Sequence, residues 1–174
     1  MGYKYDISPR VHEVLKFGGG GPLELSEAIH AVAFECSSRK FAHLVARHLS
    51  SPDTLVREEA VLALVGSWRL ATYVDDAIRM LRAEDELVRS AAARALGRYS
   101  GRGGERRAEI VRELSQVLRG EESTYMQSAC YKAILTALGA YKIGDVPEAD
   151  HFDRQRDVDW ERIEKYLDSS EVDA

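Results

Sequence analysis

The chain has 174 residues, of which 45% are hydrophobic, 30% charged and 8% aromatic, with four prolines and a formal charge of −5. That length suits one domain or one short solenoid with a real core. The acidic balance argues against a nucleic-acid binder held by electrostatics, and no run of about 18 apolar residues exists to span a membrane.

Residues 1–7 read as an arm, with no apolar stretch of the signal-peptide kind. Ser8 and Pro9 give an N-cap and an N1 proline. They open a helix carrying Val11, Val14, Leu15 and Phe17, which stops at the run Gly18, Gly19, Gly20, Gly21, Pro22. A second helix over residues 23–37 has the stripe Leu25, Ala28, Ile29, Val32 and Ala33. Ser38 caps a third, with Phe41, Leu44, Val45 and Leu49 on one face, and Asp53 or Thr54 starts a fourth. A fifth helix over 71–82 turns at 83–85 into a sixth. A loop at 100–104 leads to helices over 105–118 and 123–138. The pattern dissolves over 140–153. A last helix over 158–167 carries Trp160, Ile163 and Leu167, and residues 168–174 are expected to be disordered. Residues 1–139 thus read as a helical array. Residues 140–174 read as an acidic linker, terminal helix and tail, packed on the array or extending from it, with five Lys+Arg against eleven Asp+Glu.

One module recurs inside the array. Val56, Val88 and Met126 align, as do Ala60, Ala92 and Cys130, then Ala63, Ala95 and Ala133, then Leu64, Leu96 and Ile134. Each set keeps one helix face, and offsets of 32 and 38 residues mark a repeat array. The pattern Asp-x-x-Val-Arg-x-x-Ala-x-x-Ala-Leu-Gly is carried by Asp85, Val88, Arg89, Ala92, Ala95, Leu96 and Gly97. Asp53, Val56, Arg57, Ala60 and Leu64 match it in part. It resembles the HEAT repeat, in the short form of the phycobilisome-lyase HEAT-like repeats. The third copy departs at Met126, Gln127 and Cys130. The resemblance covers residues 41–139. It implies an all-α, right-handed α-solenoid of about four antiparallel helix pairs plus a C-terminal helix. It also implies that Arg57 and Arg89 pair with an Asp of a neighbouring repeat and are structural.

Residues able to do chemistry do not assemble into a set. His12-Glu13 resembles one dyad of the HEAT-type di-iron deoxyhypusine hydroxylases, a family that needs four. Asp150, His151 and Asp153 form one cluster in an acidic stretch. Cys36 and Cys130 sit in apolar helical patterns without metal-type neighbours and read as two buried, free thiols of a cytoplasmic protein. The glycines at 101–104, flanked by Arg98, Arg102, Arg106 and Arg107, admit two readings: a phosphate held before a helix N-terminus, or a solvated loop. No catalytic residue, metal ligand or cofactor is expected.

Function then falls to a surface. With Val56, Ala60, Ala63 and Leu64 turned inward, the opposite side of the second helices holds Glu58, Leu62 and Val65, then Ser90, Arg94 and Gly97, then Ser128, Lys132 and Leu135, with Tyr131 at the edge. Apolar residues on such a side imply a cover. The cover is a protein partner, or the chain's own tail returning through Trp160 and Tyr166. The expectation is a non-catalytic protein-binding module that uses Glu58, Leu62, Val65, Arg94, Tyr131, Lys132 and Leu135, with the acidic C-terminal region engaging a basic partner. Its sharper form is an inhibitor or immunity protein against a basic bacterial toxin. The alternative is an enzyme or enzyme accessory on the same scaffold, similar to phycobilisome lyases or HEAT-like DNA glycosylases. Neither nucleic acid nor membrane is expected as a partner.

Overall fold

Residues 8–101 and 106–172 are described by the computed structural model. The expected arm at 1–7, most of the glycine loop and residues 173–174 lie outside them. The described residues form an all-α solenoid of four helix pairs and a terminal helix, without strands. The pairs are α1 (Pro9–Phe17) with α2 (Gly21–His30), α3 (Ala42–Ala46) with α4 (Thr54–Val61), α5 (Val74–Met80) with α6 (Glu86–Ser100), and α7 (Arg107–Gly120) with α8 (Thr124–Ala137). Short α9 (Arg154–Asp157) and the terminal helix α10 (Trp160–Val172) follow.

The second helices α2, α4, α6 and α8 lie side by side in one row, with α1, α5 and α7 backing α2, α6 and α8, and α3 backing residues 62–67 at the end of α4. The aligned small positions explain why they pack so closely. Ala60, Ala92, Cys130, Ala63, Ala95, Leu64, Leu96 and Ile134 are fully buried. At Gly97 a β-carbon would sit 2.8 Å from the Cα and the carbonyl oxygen of Ala133, so α6 and α8 approach to backbone contact there. Helix α2 is a further copy of the module. Its Ala28, Ala31 and Val32 precede Ala60, Ala63 and Leu64 by the same 32 residues.

Local capping starts the helices where the sequence implies. Asp53 accepts from the Val56 N–H at 3.2 Å, Asp85 from the Leu87 N–H at 2.9 Å, and Ser123 from the Met126 N–H at 3.3 Å. Two boundaries are corrected. The glycine run does not separate the first helices along its whole length, because α2 starts at Gly21 and carries Pro22 in its first turn. The missing proline N–H costs nothing there. Residues 168–172 are helical, not disordered. Tyr166 and Leu167 pack on the core, and the Ser169 and Ser170 hydroxyls each donate to the Tyr166 carbonyl at 2.8 Å.

The second helices of the first two pairs end in the same unforeseen way. Each widens into a π turn, Ala31–Glu35 after α2 and Leu62–Ser67 after α4. The Cys36 N–H donates to Ala31 and the Trp68 N–H to Ala63, five residues back in both cases. Ser37 at φ 48° and Arg69 at φ 57° then reverse the chain in the left-handed region. Neither left-handed position is a glycine. Arg69 is held by donating to the Tyr99 carbonyl and lying against the Tyr99 ring, which ties the second pair to the third.

After α8 the chain crosses the open end of the row. Val146, Phe152, Val158 and Ile163 join the same buried cluster as the repeats. Arg154 donates to the Leu118 carbonyl at 2.9 Å and the Glu121 carbonyl at 3.2 Å, capping the end of α7. Helix α10 then lies beside α7, with the Arg119 guanidinium 4.2 Å from the Trp160 ring centroid and 2.8 Å from Glu164.

Candidate protein-binding face

The seven residues expected on one open surface are divided by the fold. Leu62, Val65, Tyr131 and Leu135 are buried, which corrects the reading of them as exposed partner contacts. Each inner second helix has a second helix on both sides and a first helix behind, so only a narrow stripe of each meets solvent. Arg94 is exposed, and Glu58 and Lys132 are half-buried on that stripe. Tyr131 is covered by the chain itself. Its ring lies 6.1 Å from that of Phe152, and its hydroxyl accepts from the Asp159 N–H at 3.1 Å. The expected covering residue, Trp160, lies instead over Arg119 on α7.

The stripe carries a feature that sequence reasoning passed over. Leu23, Leu55, Leu87 and Tyr125 are 63%, 41%, 49% and 41% exposed. They stand at equivalent positions in α2, α4, α6 and α8, one residue before the place that Val56, Val88 and Met126 occupy in the module. The signal lay in the same 32- and 38-residue offsets, one position earlier. These four lie on one continuous face, because side chains of the stripe bridge each pair of neighbours. His30 on α2 reaches Glu59 on α4 at 3.3 Å, Glu58 on α4 reaches Arg94 on α6 at 3.8 Å, and Ser90 on α6 donates to the Tyr125 hydroxyl on α8 at 3.4 Å.

Charge along this face is polarised. Glu27, Glu58 and Glu59 flank the ladder on α2 and α4, and Arg94, Arg98 and Lys132 flank it on α6 and α8. Burial holds the Glu58 carboxyl above its ordinary range, Arg94 pulls it back, and Asp85 and Glu59 push it further up.

A family model described as HEAT repeats matches residues 41–134. The chain is a HEAT-repeat protein. No curated protein and no solved structure matches it. Repeats of this family commonly mediate protein interactions. In this HEAT-repeat protein the match spans α3 to most of α8, and α2 supplies its further copy of the module outside the matched range.

The module's arginine is structural. Arg57 donates to the carbonyls of Ser51 at 2.6 Å and Pro52 at 3.1 Å, and Arg89 to those of Ala83 at 3.1 Å and Glu84 at 2.9 Å. Both close the corner before their own helix. Gln127 does the same through its amide, donating to the Glu121 carbonyl at 2.8 Å, so the third copy keeps the corner while losing the charge. The neighbouring-repeat acid of Arg89 is Glu121, at 3.3 Å, rather than an Asp. Arg57 meets Asp85 through Thr54, whose hydroxyl donates to Asp85 at 2.8 Å. The arginines after the glycine loop are engaged as well. Arg106 bridges Asp75 and Glu109, each at 2.6 Å, and Arg107 donates to the Ser100 carbonyl at 3.2 Å. Arg102 lies outside the described residues.

Among the described residues no three His, Cys, Asp or Glu side chains converge as a metal set. Cys130 is buried, and its thiol is pushed up to about 12, first by burial and then by Glu121, with Arg89 opposing. A disulfide-exchange reagent at pH 8 is expected to titrate partly exposed Cys36 alone in the folded chain, and both thiols in denaturant. A native count of two would show that α8 opens. Because the folded thiol titrates above its ordinary 9.0, its contribution to stability is full below pH 9 and is lost as pH rises toward 12.

Proposed function

We propose that the chain is a non-catalytic protein-binding module that takes its partner across the second-helix face. One observation carries the reading: four consecutive helices each present a large apolar side chain, Leu23, Leu55, Leu87 and Tyr125, at the same exposed position. Packed helices lie about 10 Å apart, so the ladder is a row of anchors at that pitch. A partner segment that presents apolar side chains at the same pitch fits it. The divided charge sets its direction, with cationic groups toward Glu58 and Glu59 and anionic groups toward Arg94 and Lys132.

A narrower form of this reading is an inhibitor or immunity protein that neutralises a basic bacterial toxin in the cytoplasm. Its support is the exposed acidic group Asp150, Asp153, Asp159 and Glu161 on the C-terminal segment, together with two unbridged cysteines, which suit a reducing compartment. In that form, association slows steeply with added salt. A salt-independent on-rate removes the acidic segment from the mechanism and leaves the ladder as the binding element.

The test is a triple variant, Leu55→Ser, Leu87→Ser and Tyr125→Ser. Each site is exposed, so each change is expected to move stability by only about 0.5 kcal/mol. Proteins retained by the native chain on an affinity column should be lost by the triple variant. They should be kept by Ile143→Ser, which alters a residue that is 97% exposed and outside the four second helices. Equal retention by the triple variant would overturn the assignment of this face.

A further inference from the structure

Between the first two first-layer helices lies a cleft of about 630 Å³ that the protein-binding reading does not use. Helix α1 contributes His12 and Lys16, four residues apart and therefore on one helical face. The turn into α3 contributes Lys40, and α3 contributes His43. Two elements distant in sequence thus each bring one lysine and one histidine to the same opening. The buried ring of Phe41 forms part of the wall. His12 stands edge-on to it at 5.7 Å, and the Lys40 ammonium lies 5.1 Å from its centroid.

The charge of this cleft opposes that of the chain. The protein carries −5 overall, yet among the described residues no acidic side chain lines the opening. Among the described residues, none of the four basic side chains makes an ion pair with a carboxylate, whereas Arg10 on another face of α1 is paired with both Glu13 and Glu24. Gathering cationic groups without a counter-charge is electrostatically unfavourable, and an anion seated among them removes that cost. The donor types narrow the anion. Lysine ammonium groups act as point charges that suit phosphate, and the arginine forks that grip carboxylates in bidentate fashion are missing from the lining. The volume is that of a small-molecule site.

We propose that the α1–α3 cleft binds the phosphate group of a small phosphorylated molecule, with Lys16 and Lys40 supplying charge and His12 and His43 supplying further donors. This site stands independently of the second-helix face. Calorimetric titration of the full chain with pyrophosphate and with adenosine monophosphate tests it, with adenosine as the uncharged control. Both phosphate probes should bind and adenosine should not. The variant Lys16→Ala/Lys40→Ala should bind at least about tenfold more weakly, since each lost lysine removes a charge-assisted contact. The variant His12→Gln/His43→Gln should weaken binding less, and Lys165→Ala, exposed on the terminal helix and outside the cleft, should leave it unchanged. All substituted side chains are at least partly exposed, so unchanged melting curves in probe-free buffer check that the variants fold. Phosphate also occurs on lipid headgroups, and sedimentation with phosphatidylcholine vesicles with and without phosphatidylinositol 4-phosphate separates that source. Capture by the phosphorylated vesicles without binding of either soluble probe would overturn the small-molecule assignment. Absence of binding to every probe at millimolar concentration, or equal binding by the Lys16→Ala/Lys40→Ala variant, would overturn the site itself.

Discussion

Tyr131→Ala is expected to cost ~3–5 kcal/mol of stability, the range for deleting a buried aromatic ring. At this chain length each kcal/mol corresponds to about 2–4 °C in Tm. Tyr131 is 5% exposed, packs against Phe152 and accepts the Asp159 N–H, so it fastens the C-terminal segment across α8. Phe152→Ala removes the other half of the same contact. The double variant should be less costly than the two single losses combined, with a coupling of about 0.5–3 kcal/mol. Tyr131→Phe keeps the ring and removes only the hydroxyl acceptor, and is expected to cost ~0.5–1.5 kcal/mol. Additive single effects in a thermal-melt cycle would show that residues 146–159 do not close the end of the solenoid.

The second large effect is expected at Gly97. A β-carbon there meets the Ala133 Cα and carbonyl oxygen at 2.8 Å, and these backbone atoms move only if α8 moves. Gly97→Ala gains up to about 1 kcal/mol of helix propensity, yet the overpacking is expected to leave a net loss of ~1–3 kcal/mol. Gly97→Val should exceed it. Gly66, in the π turn that ends the preceding second helix, is the control, because its added β-carbon would meet the Ala95 Cα at an ordinary 3.4 Å. Gly66→Ala is therefore expected to be neutral or to stabilise by less than about 1 kcal/mol. Equal losses at both positions in urea unfolding would show that α4–α6 and α6–α8 are spaced alike.

These two sites separate what periodicity reveals from what it conceals. The spacing of Ala60, Ala63 and Leu64, of Ala92, Ala95 and Leu96, and of Cys130, Ala133 and Ile134 was enough to predict the repeat and its buried face. Asp53, Asp85 and Ser123 were enough to predict three helix starts. The candidate site was legible only in part. Glu58, Arg94 and Lys132 do lie on the open stripe, while Leu62, Val65, Tyr131 and Leu135 are covered. A helical wheel divides a helix into two sides, whereas an inner helix of this array meets three neighbours. Most of the side called outward on the wheel is therefore buried. The ladder of Leu23, Leu55, Leu87 and Tyr125 was hidden because single exposed leucines are ordinary. Only their shared position across four helices distinguishes them.

By itself the sequence determined the all-α class, the caps and the small-residue face of each second helix, because each depends on neighbours within one or two turns of the same helix, and the 32- and 38-residue rhythm, which is read by comparing copies of the module. The tertiary structure decided the rest. It placed α2 in the row of repeats, ended two helices in π turns with Ser37 and Arg69 in the left-handed region, and carried α10 past residue 167. It put Phe152, rather than Trp160, over Tyr131, and it brought His12 and Lys16 to Lys40 and His43. Each of these outcomes depends on contacts between segments far apart in the chain. Their free energy comes from burial and charge that no local spacing records.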